Sequence, residues 1–92
     1  MDTEDLKPLS GLSNDYYKVW CVTETGENYI AECNDIIDAL GMKFNEGTAF
    51  KALWRKAALR LGHGKRGSTA RYESEKIFWS ARRELIRNGG KA

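Results

Sequence analysis

The spacing of apolar residues changes along the chain, and each change predicts a different element. From Tyr17 to Thr23, aromatic and β-branched residues dominate, and a second short run of this kind covers Asn28 to Ala31. Such side chains favour extended strands. Because only the polar segment Glu24 to Glu27 separates the two runs, the pattern predicts a β-hairpin.

After the hairpin, the apolar spacing lengthens to that of a helix. Asn34 and Gly41 are residue types that commonly begin and end helices, so we predict a short helix from Asp35 to Leu40. Its expected buried side consists of Ile36, Ile37 and Leu40.

Two longer helices follow, joined by a glycine-rich loop. Asn45 is the predicted N-cap of a helix from Glu46 to about Leu61, and Ser68 or Thr69 caps a last helix that runs to about Asn88. The expected buried faces are Phe50, Leu53, Trp54, Ala57 and Leu61 on the first, and Ser74, Ile77, Phe78, Ala81 and Leu85 on the second. We therefore predict a mainly α fold, a short helix plus two long antiparallel helices, with an N-terminal β-hairpin.

The length and the ends of the chain limit its organisation. Ninety-two residues close only one hydrophobic core, so we expect a mobile arm over 1–14 and a single domain over 15–92. No stretch approaches the roughly 18 apolar residues of a membrane span, and the acidic N-terminus is unlike a signal peptide. We expect a cytoplasmic protein without membrane contact, and a homo-oligomer, because small domains are marginally stable alone.

Charge is divided sharply between the two halves. Residues 1–46 contain three basic and ten acidic side chains, a net charge of −7, whereas residues 47–92 contain twelve basic and three acidic ones, a net charge of +9. This asymmetry favours an anionic partner for the second half, or packing of one half against the other.

Cysteine and carboxylate chemistry adds little. Cys21 and Cys33 form no Cys-x-x-Cys motif, and His63 is the single histidine, so neither a disulfide framework nor a zinc site is predicted. Carboxylates that could hold Mg²⁺ or could simply pair with Lys and Arg are Asp35, Asp38, Glu73 and Glu75. We predict no resident metal or cofactor.

Two stripes of side chains could bind a phosphorylated ligand. Thr48, Lys51 and Arg55 are three and four residues apart on one helix, where they suit phosphate oxygens or form a solvated rim. The last helix carries an alternation of aromatic and basic residues that suits a stacked base beside phosphate, or a subunit interface. This second stripe consists of Tyr72, Lys76, Trp79 and Arg83.

The loop Gly62 to Ser68 joins these helices. It matches G-x-G-x-x-G in letters but follows a predicted helix instead of a strand, so it is not predicted to be a dinucleotide-binding turn. Its glycine-exposed amides, Lys65, Arg66 and the following helix N-terminus still favour an anion, with a flexible basic loop as the alternative.

Two segments of the chain resemble a family of small phage proteins. They are residues 44–55 (FNEGTAFKALWR) and, after the basic loop, 73–79 (ESEKIFW); family members read F-x-x-G-N-x-x-K-Y-L-W-R and D-L-x-K-A-x-W-Y-L. The family is of unknown function and is often labelled nucleotide-kinase-like. The resemblance covers about Tyr17 to Ile86 and implies a ligand site at Gly47, Lys51, Trp54, Arg55 and Lys76, while Tyr16, Thr48, Ala52 and Glu73 depart from the family pattern.

Three functions follow from these observations. The first is a phage-type protein that binds or sequesters a nucleotide, including a cyclic nucleotide defence signal, in the host cytosol; Tyr17 joins the two stripes and the loop in its predicted site. The alternative is a nucleoside monophosphate kinase, implied by the resemblance and requiring Mg²⁺ and ATP. A nucleic-acid-binding protein comes third, because the net charge of +2 is small. No catalytic residue is predicted, so binding is favoured over catalysis.

Overall fold

Residues 15–91 are the part of the chain that the computed structural model describes. They form a mainly helical domain with an N-terminal antiparallel hairpin, which confirms the predicted fold. The predicted arm over 1–14 lies outside the described residues. In chain order the elements are a 3-10 turn (Asp15–Tyr17), strands β1 (Lys18–Val22) and β2 (Asn28–Glu32), and helices α1 (Cys33–Leu40), α2 (Phe44–Arg60) and α3 (Ala70–Arg87).

The hairpin is closed by a tight turn. The Thr23 amide donates to the Glu27 carbonyl at 2.8 Å, and Gly26 supplies the positive φ of 88° that the turn requires. In the resulting register Trp20 lies opposite Ile30. Trp20 is 74% and Ile30 is 49% exposed, so this face of the hairpin is open to solvent.

The caps of α1 and α2 differ from those predicted. α1 begins at Cys33 directly after β2, with Glu32 at the N-cap position, so Asn34 is not the cap. α2 begins at Phe44, because the Glu46 carboxylate reaches back to accept from the Lys43 amide at 2.9 Å. Asn45 is therefore a buried residue in the first turn of α2 and is not the N-cap that the sequence predicted.

The other predicted helix signals are confirmed. Gly41 ends α1 in the left-handed conformation with φ 61°. The Thr69 hydroxyl accepts from the Tyr72 amide at 3.1 Å and so caps α3.

The contact between α2 and α3 is made by small and charged side chains. The buried residues of the two helices are Asn45, Gly47, Ala52, Arg55 and Ala58 on α2 and Glu73 and Ser80 on α3. The predicted buried faces are wrong for Leu53, Leu61, Phe78 and Leu85, which are 54%, 69%, 61% and 47% exposed, and Leu40 of α1 is also exposed. Each long helix is rotated so that an ion pair and alanines, not the largest apolar residues, face the neighbouring helix.

The N-terminal elements pack on one side of α2. The Trp54 indole nitrogen donates to the Tyr16 carbonyl at 2.8 Å, and a Cβ added at Gly47 would be in ordinary van der Waals contact with Ile37 of α1, at 3.6 Å. Cys21 and Cys33 are free thiols, the second fully buried. Among residues 15–91, no helix is both long and apolar enough to cross a membrane.

Candidate functional site

A buried ion pair joins α2 to α3 at the end nearest the connecting loop. The Arg55 guanidinium donates from Nε and Nη2 to the two carboxylate oxygens of Glu73, at 2.7 and 2.9 Å. Arg55 is 8% exposed and Glu73 is fully buried. Bidentate geometry of this kind fixes both the distance and the rotation of the two helices.

Two further hydrogen bonds complete the environment of the pair. The Arg55 Nη1 group donates to the Tyr17 hydroxyl at 2.6 Å, and the Ser68 hydroxyl donates to the Glu73 carboxylate at 2.5 Å. Burial raises the pKa of Glu73, but the hydrogen bonds from Arg55 and Ser68 outweigh burial and hold this pKa below its ordinary value. The hydrogen bond to Glu73 likewise raises the pKa of Arg55. Both groups therefore stay charged in neutral solution.

An open recess of about 260 Å³ lies beside this ion pair, between the connecting loop and the first turns of α3. We call it the cationic recess. It is lined by Arg55, Lys65, Arg66, Gly67, Ser68, Tyr72, Glu73 and Lys76. Because Glu73 is already neutralised by Arg55, the charges of Lys65, Arg66 and Lys76 remain available to attract an anion.

A second recess of about 340 Å³ continues along α3, and we call it the aromatic recess. It is lined by Tyr72, Glu75, Lys76, Trp79 and Ser80. Tyr72 and Lys76 line both recesses, and the Lys76 ammonium lies 5.7 Å from the centre of the Tyr72 ring. The ring faces of Tyr72 and Trp79, which are about half exposed, are therefore next to the cationic recess.

The structure brings most of the predicted site residues together. Arg55, Lys65, Arg66, Tyr72 and Lys76 all line the cationic recess, and Trp79 lies in the adjoining aromatic recess. Arg55 differs from its predicted role as a free cation, because three of its donors are engaged by Glu73 and Tyr17.

The remaining predicted residues lie around this region. Lys51 and Arg55 both lie near Tyr17, with the Lys51 ammonium 5.8 Å and the Arg55 guanidinium carbon 6.0 Å from the centre of its ring. The Thr48 hydroxyl donates to the Phe44 carbonyl of its own helix at 2.8 Å, and Arg83 lines a separate recess with Arg82 and Arg87. None of these four predicted site residues, Tyr17, Thr48, Lys51 and Arg83, lines the cationic recess.

The sequence did not indicate that Glu73 and Ser68 act together. Glu73 was expected either to hold Mg²⁺ or to pair with Lys or Arg, and Ser68 was a candidate helix cap. In the structure Glu73 pairs with Arg55 and accepts from Ser68, and the three residues line the recess. The available signal was the acidic residue that starts the second segment of the resemblance pattern.

Metal ligation finds no support in the described part of the chain. Between residues 15 and 91 no group of three or more His, Cys, Asp and Glu side chains is placed to hold a metal ion. The Glu73 carboxylate is engaged by Arg55 and Ser68. The arrangement is a cationic surface beside exposed aromatic rings.

No protein-family model, curated protein or solved structure matches the chain. The resemblance to small phage proteins therefore stays a prediction, and function has to be argued from the site itself.

Proposed function

We propose that this protein binds a nucleotide, with phosphate in the cationic recess and the base against the rings of the aromatic recess. The observation that carries the proposal is the sharing of Tyr72 and Lys76 by the two recesses. A phosphorylated ring system is the common ligand class that needs a cationic surface and a stacking surface side by side.

The phosphate end of the proposal depends on charge and on backbone amides. Lys65 and Arg66 are exposed and Lys76 is half-buried at the edge of the recess. Ser68 and Thr69 lead into α3, whose first-turn amides carry the partial positive charge of a helix N-terminus. Both features attract a phosphate group.

The base end depends on exposed aromatic rings. Tyr72 is 51% and Trp79 is 58% exposed, so both rings offer surface on which a base can stack. Stacking of a base on such a ring contributes roughly 1–3 kcal/mol and tolerates any base.

We further propose that the ligand is held without being converted. The Glu73 carboxylate, the one acidic group in the cationic recess, is occupied by its ion pair. A protein with this site would sequester a nucleotide, including a cyclic nucleotide signal of host defence if the chain is phage-encoded.

Isothermal titration calorimetry with a graded set of ligands tests the proposal. The set consists of inorganic phosphate, adenosine, AMP, ATP, GMP and a cyclic dinucleotide. We expect the mononucleotides to bind more tightly than phosphate or adenosine alone, because only they occupy both recesses. Absence of binding tighter than millimolar for every nucleotide would contradict the proposal.

Variants separate the two ends of the ligand. Lys76→Met removes the cation that both recesses share, and Trp79→Ala removes a stacking ring; each is expected to weaken nucleotide binding about tenfold or more. Lys18→Met is the matched control, since Lys18 is an exposed lysine of β1 outside both recesses. Equal binding by Lys76→Met and the control would refute the assignment of the site.

The same protein tests the two alternatives. A kinase would convert a nucleoside monophosphate into the nucleoside diphosphate when ATP and Mg²⁺ are added, and chromatography of the mixture measures this product. A nucleic-acid-binding protein would retard oligonucleotides at physiological salt, whereas nonspecific charge attraction would disappear there.

A further inference from the structure

The face of the α2–α3 pair away from the two recesses carries an apolar stripe. Successive residues of an α-helix are rotated by roughly 100°. Glu73 and Ser80 face α2 and define a line along α3. The recess residues of α3 lie on one side of this line, and the apolar stripe lies on the other side. This outer stripe consists of Ser74, Phe78, Ala81 and Leu85.

Within residues 15–91, the N-terminal elements leave the outer stripe uncovered. Trp54 and Gly47, which contact the 3-10 turn and α1, lie on the recess side of α2. Phe78 is 61% and Leu85 is 47% exposed. A groove of about 290 Å³ lies over Ala81, between Phe78 and Leu85. Exposed apolar residues at this spacing are typical of a helix that packs against another helix.

We infer that the outer stripe is a dimer interface, in which α3 pairs with α3 of a second copy, antiparallel and around a two-fold axis. The order of side-chain sizes along the stripe supports this partner. It runs small, large, small, large from Ser74 to Leu85. Reversing the order in the second copy places Phe78 over the groove at Ala81 and Leu85 over Ser74, on both sides of the axis. Such self-complementarity is what a two-fold interface requires.

The charges beside the stripe fit the same register. Glu75 and Arg82 lie on one flank of it, and a two-fold axis keeps that flank on the same side in both copies. In the register that places Phe78 opposite Ala81 of the second copy, Glu75 and Arg82 of that copy are separated by about 3 Å along the helix axis. Within one copy, Glu75 pairs with the exposed Arg71 and Arg82 lies over Trp79. Two ion pairs between the copies can replace these exposed contacts at little cost.

The helix pair also brings α2 close to its own copy. Arg55 and Glu73 lie at the same height on the antiparallel helices α2 and α3. The two-fold axis, which crosses α3 midway between Phe78 and Ala81, therefore lies at the height of Ala49 on α2. A small residue there permits close approach, so the dimer is a bundle of four helices. The cationic recess lies outside the interface, whereas Glu75 lines the aromatic recess and Arg82 lies over the Trp79 ring beside it. The inference does not depend on the proposed function.

Sedimentation velocity of the full chain, from low micromolar to several hundred micromolar concentration, tests the dimer. We expect a reversible monomer–dimer equilibrium. Ala81→Glu, which fills the groove with a charge, is expected to leave a monomer at every concentration. Ala39→Glu is the matched control on an exposed position of α1 and should dimerise like the original protein. A protein that stays monomeric throughout, or an Ala81→Glu variant that dimerises as the control does, would overturn the inference.

Charge reversal tests the register and stands even if Ala81→Glu fails to fold by circular dichroism. Glu75→Arg and Arg82→Glu should each raise the dimer dissociation constant about tenfold or more, since like charges then face each other. The double variant should restore the original value. Failure of the double variant to recover would overturn the antiparallel register.

Discussion

The ion pair between Arg55 and Glu73 predicts a large difference between two chemically identical substitutions. Arg55→Gln removes the partner of a fully buried carboxylate that accepts three hydrogen bonds. Arg71→Gln removes an exposed partner from the pair Arg71–Glu75, whose side chains are 90% and 56% exposed. The two substitutions differ in burial and not in chemistry.

Breaking a buried pair from one side costs about 3–5 kcal/mol, because the remaining charge stays buried without a partner. A domain of this size has a free energy of unfolding of about 5–15 kcal/mol, so Arg55→Gln should remove a large part of it and lower Tm by more than about 10 °C. Loss of the exposed pair costs about 1 kcal/mol or less.

Urea unfolding followed by tryptophan fluorescence measures both values. The double variant Arg55→Met with Glu73→Leu should be more stable than Arg55→Gln, since replacing a whole buried ion pair by apolar residues of similar volume is often neutral. If Arg55→Gln costs no more than Arg71→Gln, the pair does not hold α2 and α3 together and the reasoning is refuted.

Three further predictions concern the pair and the helix ends. The pKa of Glu73 is lower in the folded than in the unfolded state. Its stabilising contribution is therefore complete above about pH 4.3 and is lost as pH falls below that value. The free energy of unfolding should depend less steeply on pH in this range for Glu73→Gln than for the original protein. Thr69→Ala removes the acceptor of the Tyr72 amide and should lower the free energy of unfolding by about 1 kcal/mol. Gly41→Ala should cost about 1 kcal/mol through backbone strain alone, because an added Cβ at φ 61° meets no atom within 4 Å; no loss would mean that this residue is not left-handed in solution.

Local patterns in the sequence were sufficient to predict the elements. Strand propensity on either side of a polar turn predicted the hairpin, and helical spacing with Gly41 and Thr69 at the ends predicted the helices. Asn45 failed as a cap because α2 begins earlier, at Phe44, and the Gly47 amide that an Asn45 cap could have satisfied donates to the Lys43 carbonyl at 2.8 Å. Several neighbouring residues can cap the same helix, and the residue type alone does not show which of them has the required geometry.

The orientation of the long helices was less predictable. The apolar-inside rule placed Phe78 and Leu85 in the core, whereas the buried line of α3 passes through Glu73 and Ser80. A charged residue enters a helix contact only when a partner from another element satisfies it, and Arg55 and Glu73 are 18 residues apart. The Tyr17 contact with Arg55 spans 38 residues. Neither distance leaves a periodic signal in the sequence.

The composition of the candidate site was predicted better than its internal organisation. The antiparallel helices and their short loop bring Arg55, Lys65 and Lys76 to one recess, whereas Lys51, which was predicted to join them, does not line it. The different roles of the cationic residues within the site were not predicted. Arg55 is a structural member of the ion pair, which leaves Lys65, Arg66 and Lys76 as the cations available to a ligand.

Titration of isotope-labelled protein with AMP, followed by nuclear magnetic resonance, is the most direct test of nucleotide binding at the two recesses. We expect the backbone amides of Gly67 and Ser68 and the indole proton of Trp79 to shift together with one affinity, while the indole proton of Trp20 on the hairpin does not move. Shifts confined to residues outside the two recesses, or no shift at millimolar AMP, would contradict nucleotide binding at this site.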